Sequence, residues 1–184
     1  MAPLSPEQLR FEQARIRMSA LVAVLVVAGT IAVAYLALRH LAVWPENMSE
    51  RLALAVQCSL PLALTLAVAA QRVSSGRYRS AADNRGSAFS PPSDIIAIDA
   101  AFLQNTLEQF AITLVGLLAW ASVAPVELMV LLPTASLLFV VGRIAFRIGY
   151  PHGAGARAFG MALTALPGLL ACVGASILAL MHLF

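Results

Sequence analysis

The sequence predicts an all-α integral membrane protein, a bundle of membrane-spanning helices with almost no soluble domain. Of its 184 residues, 60% are hydrophobic and only 11% are charged, whereas soluble domains contain about 25% charged residues. Apolar runs of about 20 residues recur along the chain, and a helix can carry such a run across the hydrocarbon core because it satisfies its own backbone groups. These two observations exclude an ordinary soluble enzyme.

Five apolar runs account for most of the chain. The predicted spans are residues 18–43, 52–70, 100–123, 126–148 and 158–183. Residues 1–17 are expected to form a short polar helix at the cytoplasmic surface, started by Ser5-Pro6-Glu7. The third and fourth spans are joined by little more than Ala124 and Pro125, so a tight antiparallel hairpin is expected there. Residues 74–94, rich in Ser, Arg, Gly and Pro, are expected to form a loop.

The arginines predict the orientation. The chain has twelve arginines and no lysine, and five spans would place ten of them on one side and only Arg39 and Arg51 on the other. Positive charge marks the cytoplasmic side, so the N-terminus is expected inside and the C-terminus outside. Attraction to anionic lipid headgroups accounts for the net charge of +3, and no nucleic-acid partner is expected. The Arg- and Ala-rich composition favours a bacterial inner membrane.

Polar side chains inside the predicted spans are the candidates for function. Asn105 and Glu108 are three residues apart and therefore share a face of the third span. An ionisable group within a membrane is costly without a partner, so it indicates either a functional site or a polar contact between helices. Arg143 is expected to lie at a similar depth and is the predicted partner of Glu108.

A second group surrounds the turn between the last two spans. Arg143, Arg147 and Tyr150 follow one another at helical spacing on one face, and a turn rich in Pro and Gly then presents Arg157. Arg147 is expected to anchor the helix end at the headgroups. No histidines or cysteines have the spacing of metal ligands, so no metal site is predicted.

These residues resemble a known family, the membrane-associated proteins in eicosanoid and glutathione metabolism (MAPEG). The resemblance covers residues 52–184 and is carried by Asn105-x-x-Glu108 and by Arg143, Tyr150 and Arg157 at intervals of seven. It implies a four-helix membrane bundle, to which residues 18–43 add an extra N-terminal transmembrane helix. It also implies a homotrimer that binds glutathione between subunits and accepts lipophilic substrates.

The resemblance also implies roles for individual residues. Arg157 would stabilise the glutathione thiolate, because a nearby guanidinium lowers the pKa of a thiol. The other four site residues, Asn105, Glu108, Arg143 and Tyr150, would bind the peptide. The chain departs from the family pattern at two positions that often carry arginine, since Ile98 and Ala101 stand there, and Phe146 replaces a tyrosine.

Two classes of function follow from the sequence. The first is a membrane glutathione transferase, with peroxidase activity as a variant, acting on lipophilic electrophiles that enter from the bilayer. Retention of Arg157 favours this enzyme. The second is a non-catalytic lipid-binding or scaffold protein of the same fold. Ile98 and Ala101 favour it, because one clamp for a carboxylate is then missing unless Arg72 or Arg77 replaces it.

Overall fold

The computed structural model describes residues 4–40 and 43–183, and within them it contains five long α-helices. All five are long and apolar enough to cross a membrane, which confirms the predicted all-α membrane fold. Their bounds are α1 Pro6–Leu38, α2 Met48–Arg79, α3 Ala97–Val123, α4 Leu131–Gly149 and α5 Ala154–Met181. Short 3-10 turns precede and follow α4, at Val126–Leu128 and Tyr150–His152.

The first helix differs from the sequence expectation. Residues 1–17 and 18–43 were predicted as separate segments, but α1 runs unbroken from Pro6 to Leu38. A capping box begins it, because the Ser5 hydroxyl accepts from the Gln8 N–H and the Gln8 side chain accepts from the Ser5 N–H. No proline or glycine then interrupts the chain before Gly29. Residues 1–3, 41–42 and 184 of the predicted segments lie outside the described residues.

Two further boundaries differ. Helix α2 continues nine residues beyond the predicted end at residue 70, through part of the segment that was expected to be a loop, and it ends where Ser80 becomes extended. Small polar residues do not stop a helix by themselves when no proline or left-handed glycine follows. The predicted fourth span begins with a 3-10 turn, and α4 itself starts only at Leu131.

Helices α2 to α5 form a four-helix bundle in which α5 packs against both α3 and α4. The expected hairpin of α3 and α4 is wrong, because these two helices make few direct contacts and each packs mainly on other neighbours. Glycines explain the position of α5. A side chain at Gly168 would meet Thr113 of α3, and one at Gly160 would meet the backbone of Phe146 in α4. Small residues allow such close approach of membrane helices.

Helix α1 lies outside this bundle and packs along α5. Its outer face remains apolar and exposed, as do faces of the other helices, with exposed side chains that include Leu25, Val33, Leu64 and Val115. Such surfaces suit contact with lipid tails, because no water is needed to solvate them. The structure therefore supports an integral multi-pass membrane protein.

Polar contacts mark the two ends of the bundle. At one end, the Arg51 guanidinium donates to the Ala124 carbonyl, which joins the start of α2 to the connection after α3. At the other end, Glu12 of α1 reaches the start of α5, and Asp99 of α3 pairs with arginines of α2 and α4. This second end also holds the α2–α3 connection and the turn before α5, so it gathers the sequence-predicted site residues.

The α2–α3 connection is organised by one carboxylate. Asp83 is buried, and it accepts hydrogen bonds from the Ser80 hydroxyl and from both the N–H and the hydroxyl of Ser93. These bonds, that of Ser80 foremost, hold the pKa of the Asp83 carboxyl below its usual value. Because the pKa is lowered in the fold, the contribution of the carboxylate is present at neutral pH and is lost as the pH falls through that lowered value.

Replacing Asp83 with alanine is expected to loosen this connection, because the Ser80 and Ser93 donors lose their shared acceptor. Trypsin should then cleave after the exposed Arg85 several-fold faster than in the wild-type protein. The matched control is Asp94→Ala, which removes an exposed aspartate of the same connection. Equal cleavage rates in the two variants would show that Asp83 does not order the segment.

Candidate functional site

Arg143 is the centre of the polar end of the bundle. Its side chain is fully buried, and its guanidinium donates to Asn105 Oδ1 of α3 at 2.7 Å and to Thr164 Oγ1 of α5 at 3.1 Å. A third contact, at 3.8 Å, runs to the sulfur of Met161. One arginine of α4 thus joins three helices, and its charge is met by neutral oxygen atoms instead of a carboxylate.

A line of rings leads from Arg143 to Arg157. The Arg143 guanidinium lies 4.5 Å from the centre of the Phe146 ring, and Phe146 contacts the Tyr150 ring edge-on with centroids 5.4 Å apart. The Arg157 guanidinium lies 4.5 Å from the centre of the same Tyr150 ring. Cations stack favourably on aromatic faces, so these rings hold both guanidinium groups in place. Phe146 stood out in the sequence only because it replaces a tyrosine and therefore lacks a hydroxyl. In the structure its buried ring separates the two guanidinium groups.

Close backbone packing brings together the two helices that carry these arginines, α4 and α5. A Cβ at Gly149 of α4 would overlap the Ala156 carbonyl and come within 2.9 Å of the Arg157 Cα. A Cβ at Gly142 would overlap the Thr164 hydroxyl, which is itself bonded to Arg143. Glycine at these positions therefore allows α4 and the start of α5 to touch along the site.

Glu108 does not pair with Arg143 as the sequence predicted. Its side chain lies on the exposed face of α3 and accepts a hydrogen bond from Gln104 Nε2, one turn earlier, at 3.0 Å. Asn105 takes the place expected for Glu108, because it is the residue of α3 that turns towards α4. The three-residue spacing puts Asn105 and Glu108 on adjacent parts of one helix surface, only one of which faces the interior.

Asp99 is a site residue that sequence reasoning missed. It accepts from Arg147 Nη2 at 2.7 Å and from Arg72 Nε at 3.2 Å, so one carboxylate meets guanidinium groups from α2 and α4. Arg147, which was expected to anchor at lipid headgroups, is partly exposed and paired with this carboxylate. The signal available in the sequence was an aspartate in the first turn of a span at the arginine-rich end. Ile98 and Ala101 flank it, both half-buried.

Four of the five predicted site residues thus come together, namely Asn105, Arg143, Tyr150 and Arg157, while Glu108 faces outward. Arg157 is partly exposed, and among residues 4–40 and 43–183 no carboxylate forms an ion pair with it. Within the same described residues no group of three His, Cys, Asp or Glu side chains could hold a metal ion. The site can therefore offer hydrogen bonds and positive charge to an anion.

Comparison with known proteins gives one match. The model of the MAPEG family matches residues 51–181, which include α3, α4 and α5, all but the first three residues of α2, and every residue of the candidate site. No curated protein and no solved structure matches the chain. The matched segment leaves out α1, the helix that lies outside the four-helix bundle. Since the family match covers well over half of the chain, and the bundle it covers is the one observed, this protein belongs to the MAPEG family.

Proposed function

We propose that this protein is a membrane-bound glutathione transferase, with peroxidase activity as a variant of the same chemistry, and that it acts on lipophilic electrophiles. Arg157 stabilises the glutathione thiolate. Tyr150 lies beside Arg157, Asn105 and Arg143 belong to the framework that supports the site, and the Glu108 carboxylate accepts a hydrogen bond from the amino group of glutathione. The proposal is based on family membership and on the geometry of the arginine and aromatic side chains.

The observation that carries the proposal is the state of Arg157. Its guanidinium is positioned by the Tyr150 ring and no carboxylate neutralises it among the described residues. A fixed, unneutralised guanidinium favours an anion beside it and so lowers the pKa of a bound thiol. Arg143, in contrast, is buried and bonded to Asn105 and Thr164, so we assign it to the framework of the site.

The proposed reaction uses the thiolate as nucleophile. Loss of the thiol proton to water gives the thiolate, whose sulfur electron pair forms a bond to the electrophilic carbon while the leaving group departs with its own electron pair. In the peroxidase variant, two glutathione molecules supply two electrons to a lipid hydroperoxide. The products are the disulfide, the corresponding alcohol and water.

A homotrimer is part of the proposal, and Glu108 supports it. This carboxylate lies about three turns into α3, on an exposed face next to the apolar Leu107 and Ile112. A carboxylate facing lipid tails at that depth is costly. A neighbouring subunit that covers this face would remove the cost and would turn Glu108 into part of a cleft between subunits.

We propose that the N-terminus and the end of the bundle with Arg157 face the cytoplasm of a bacterial cell, because that end carries ten of the twelve arginines. Glutathione would then reach the site from the cytoplasm, and lipophilic substrates would reach it from the bilayer.

A second function, a non-catalytic lipid-binding or scaffold protein, is favoured by Asp99. Glutathione brings two carboxylates, and the arginines that could pair with them at this end include Arg72 and Arg147. Both are already paired with Asp99. Ile98 and Ala101 are uncharged and cannot replace these two arginines. A protein with this arrangement can therefore have lost glutathione binding while keeping the fold.

The test is a glutathione titration of the detergent-purified protein, monitored by thiolate absorbance, with Arg157→Ala measured alongside. Saturable thiolate formation is expected in the wild-type protein, and the thiolate fraction should fall at least about tenfold in the variant, since the charge that stabilises it is gone. Arg157→Lys, which keeps a positive charge without the planar stack on Tyr150, should be intermediate.

The matched control is Arg85→Ala, which removes an exposed arginine from the α2–α3 connection. Thiolate formation equal to that of the wild-type protein is expected. No thiolate with millimolar glutathione, in a wild-type protein that is folded and oligomeric, would refute the transferase and support the scaffold. Turnover of lipophilic electrophiles is then measured only if the thiolate forms.

A further inference from the structure

Helix α1 forms hydrogen bonds with both backbone polar groups of one residue of α5, Gly155. The Glu12 carboxylate accepts a hydrogen bond from the Gly155 N–H at 2.8 Å, and the Ser19 hydroxyl donates to the Gly155 carbonyl at 3.0 Å. Arg15 donates to the other carboxylate oxygen of Glu12, also at 2.8 Å, which orients it. Glu12 and Ser19 are seven residues apart and therefore lie on one face of α1.

The approach of the two helices depends on glycine. Gly155 is buried, and a Cβ there would come within 2.5 Å of the Arg15 Cβ and 3.1 Å of Glu12 Oε2. Any other residue would push α1 away and break both hydrogen bonds. The two helices therefore make a close, specific contact at Gly155, in addition to the apolar packing that they share.

Helix α5 has no cap of its own. Its N-cap residue is Gly153, with φ 93° and no side chain, and no side chain from the preceding turn bonds the first-turn amides. The first N–H groups of a helix need an acceptor and favour negative charge. Glu12 supplies both, so the cap of α5 comes from a helix far away in the sequence.

The capped turn carries Arg157. Gly155 lies two residues before it, and the Arg157 N–H donates to the Gly153 carbonyl at 3.3 Å as part of the same turn. On its other side this turn touches α4 at Gly149. The backbone that presents the Arg157 guanidinium to the site is therefore held between α4 and α1.

We infer that Glu12 is a positioning residue for Arg157, and that the extra N-terminal helix is a working part of the site because it caps and clamps the turn from which Arg157 projects. The inference rests on the proposed function of Arg157. It assigns α1 a role other than membrane anchoring, although the family match begins only at residue 51.

The experiment compares Glu12→Ala, Glu12→Gln and Glu7→Ala in the full-length, detergent-purified protein. Hydrogen–deuterium exchange of residues 154–157 reports the order of the turn, and the pH dependence of glutathione thiolate absorbance reports what Arg157 does. Glu12→Ala should speed exchange about fivefold, as expected for a lost helix cap. It should also reduce the thiolate fraction at neutral pH about threefold, because the guanidinium is less well placed.

The other two variants separate positioning from general stability. Glu12→Gln keeps an oxygen that can accept from the Gly155 N–H, so it should restore most of both effects. Glu7→Ala removes an exposed carboxylate from the first turn of α1 that forms no ion pair among the described residues, and should match the wild-type protein. Faster exchange with an unchanged thiolate pH profile would overturn the positioning role.

A protein without the proposed transferase activity would give a different set of results. If the wild-type protein forms no thiolate, the transferase is refuted, and the exchange data alone then decide whether Glu12 holds the turn. Equal exchange of residues 154–157 in the Glu12→Ala and Glu7→Ala proteins would overturn the inference in either case.

Discussion

Replacing Arg143 with methionine is expected to cost about 3 kcal/mol of stability and to abolish glutathione binding. The guanidinium bonds Asn105 and Thr164, and hydrogen bonds to a charged group contribute roughly 1.5–3 kcal/mol each. Methionine fills part of the volume but leaves both partners without their donor inside the bundle. The loss should appear as a lower melting temperature in detergent.

Arg143→Lys is the informative companion. An ammonium group can reach one oxygen, but it cannot bond Asn105 and Thr164 together while stacking on Phe146. A melting temperature between those of the wild-type and methionine proteins is expected. A methionine variant as stable as the wild-type protein would show that packing alone holds these helices and would contradict the stabilising role of the Arg143 hydrogen bonds.

Replacing Gly160 with alanine is expected to be comparably damaging, although only a methyl group is added. Its Cβ would overlap the Phe146 N atom and come within 2.6 Å of the Gly142 carbonyl oxygen. These are backbone atoms, which cannot move aside by changing rotamer, so α4 and α5 must separate. Overpacking of a close contact costs about 1–3 kcal/mol or more, and here the separation would also disturb Arg143 and Arg157.

Gly29→Ala is the matched control, because Gly29 lies within α1 and a Cβ there would meet nothing within 4 Å. That substitution should be neutral or stabilising by up to about 1 kcal/mol through helix propensity. Melting temperatures and thiolate absorbance are measured for both variants. Similar behaviour of the two proteins would contradict the close α4–α5 contact.

The candidate site could be predicted only in part. Arg143, Tyr150 and Arg157 were identified from their spacing and from the family pattern, and they do line one end of the bundle. Glu108 was assigned to the interior because an i, i+3 pair shares a helix face, yet that face is wide enough for Asn105 to point inward and Glu108 outward. Residue spacing alone does not show which of these two side chains lies nearer the centre of the buried face.

Contacts between residues far apart in the sequence could not be predicted, for a related reason. Arg147 and Asp99 are 48 residues apart, and Glu12 and Gly155 are 143 residues apart. Each of these carboxylates, read locally, is an ordinary first-turn or surface residue. Their partners depend on which helices are neighbours, and the short α3–α4 connection suggested the wrong neighbours.

Hydropathy and span length were enough to predict a membrane protein with five spans, because both depend only on local composition and on the thickness of a bilayer. The family was also recognisable from the residue types and their spacing along the chain. The position of α5 between α3 and α4, and the capping of α5 by Glu12 of α1, became evident in the three-dimensional structure. A few close glycine contacts and buried polar bonds select the helix neighbours, and these join residues far apart in the sequence.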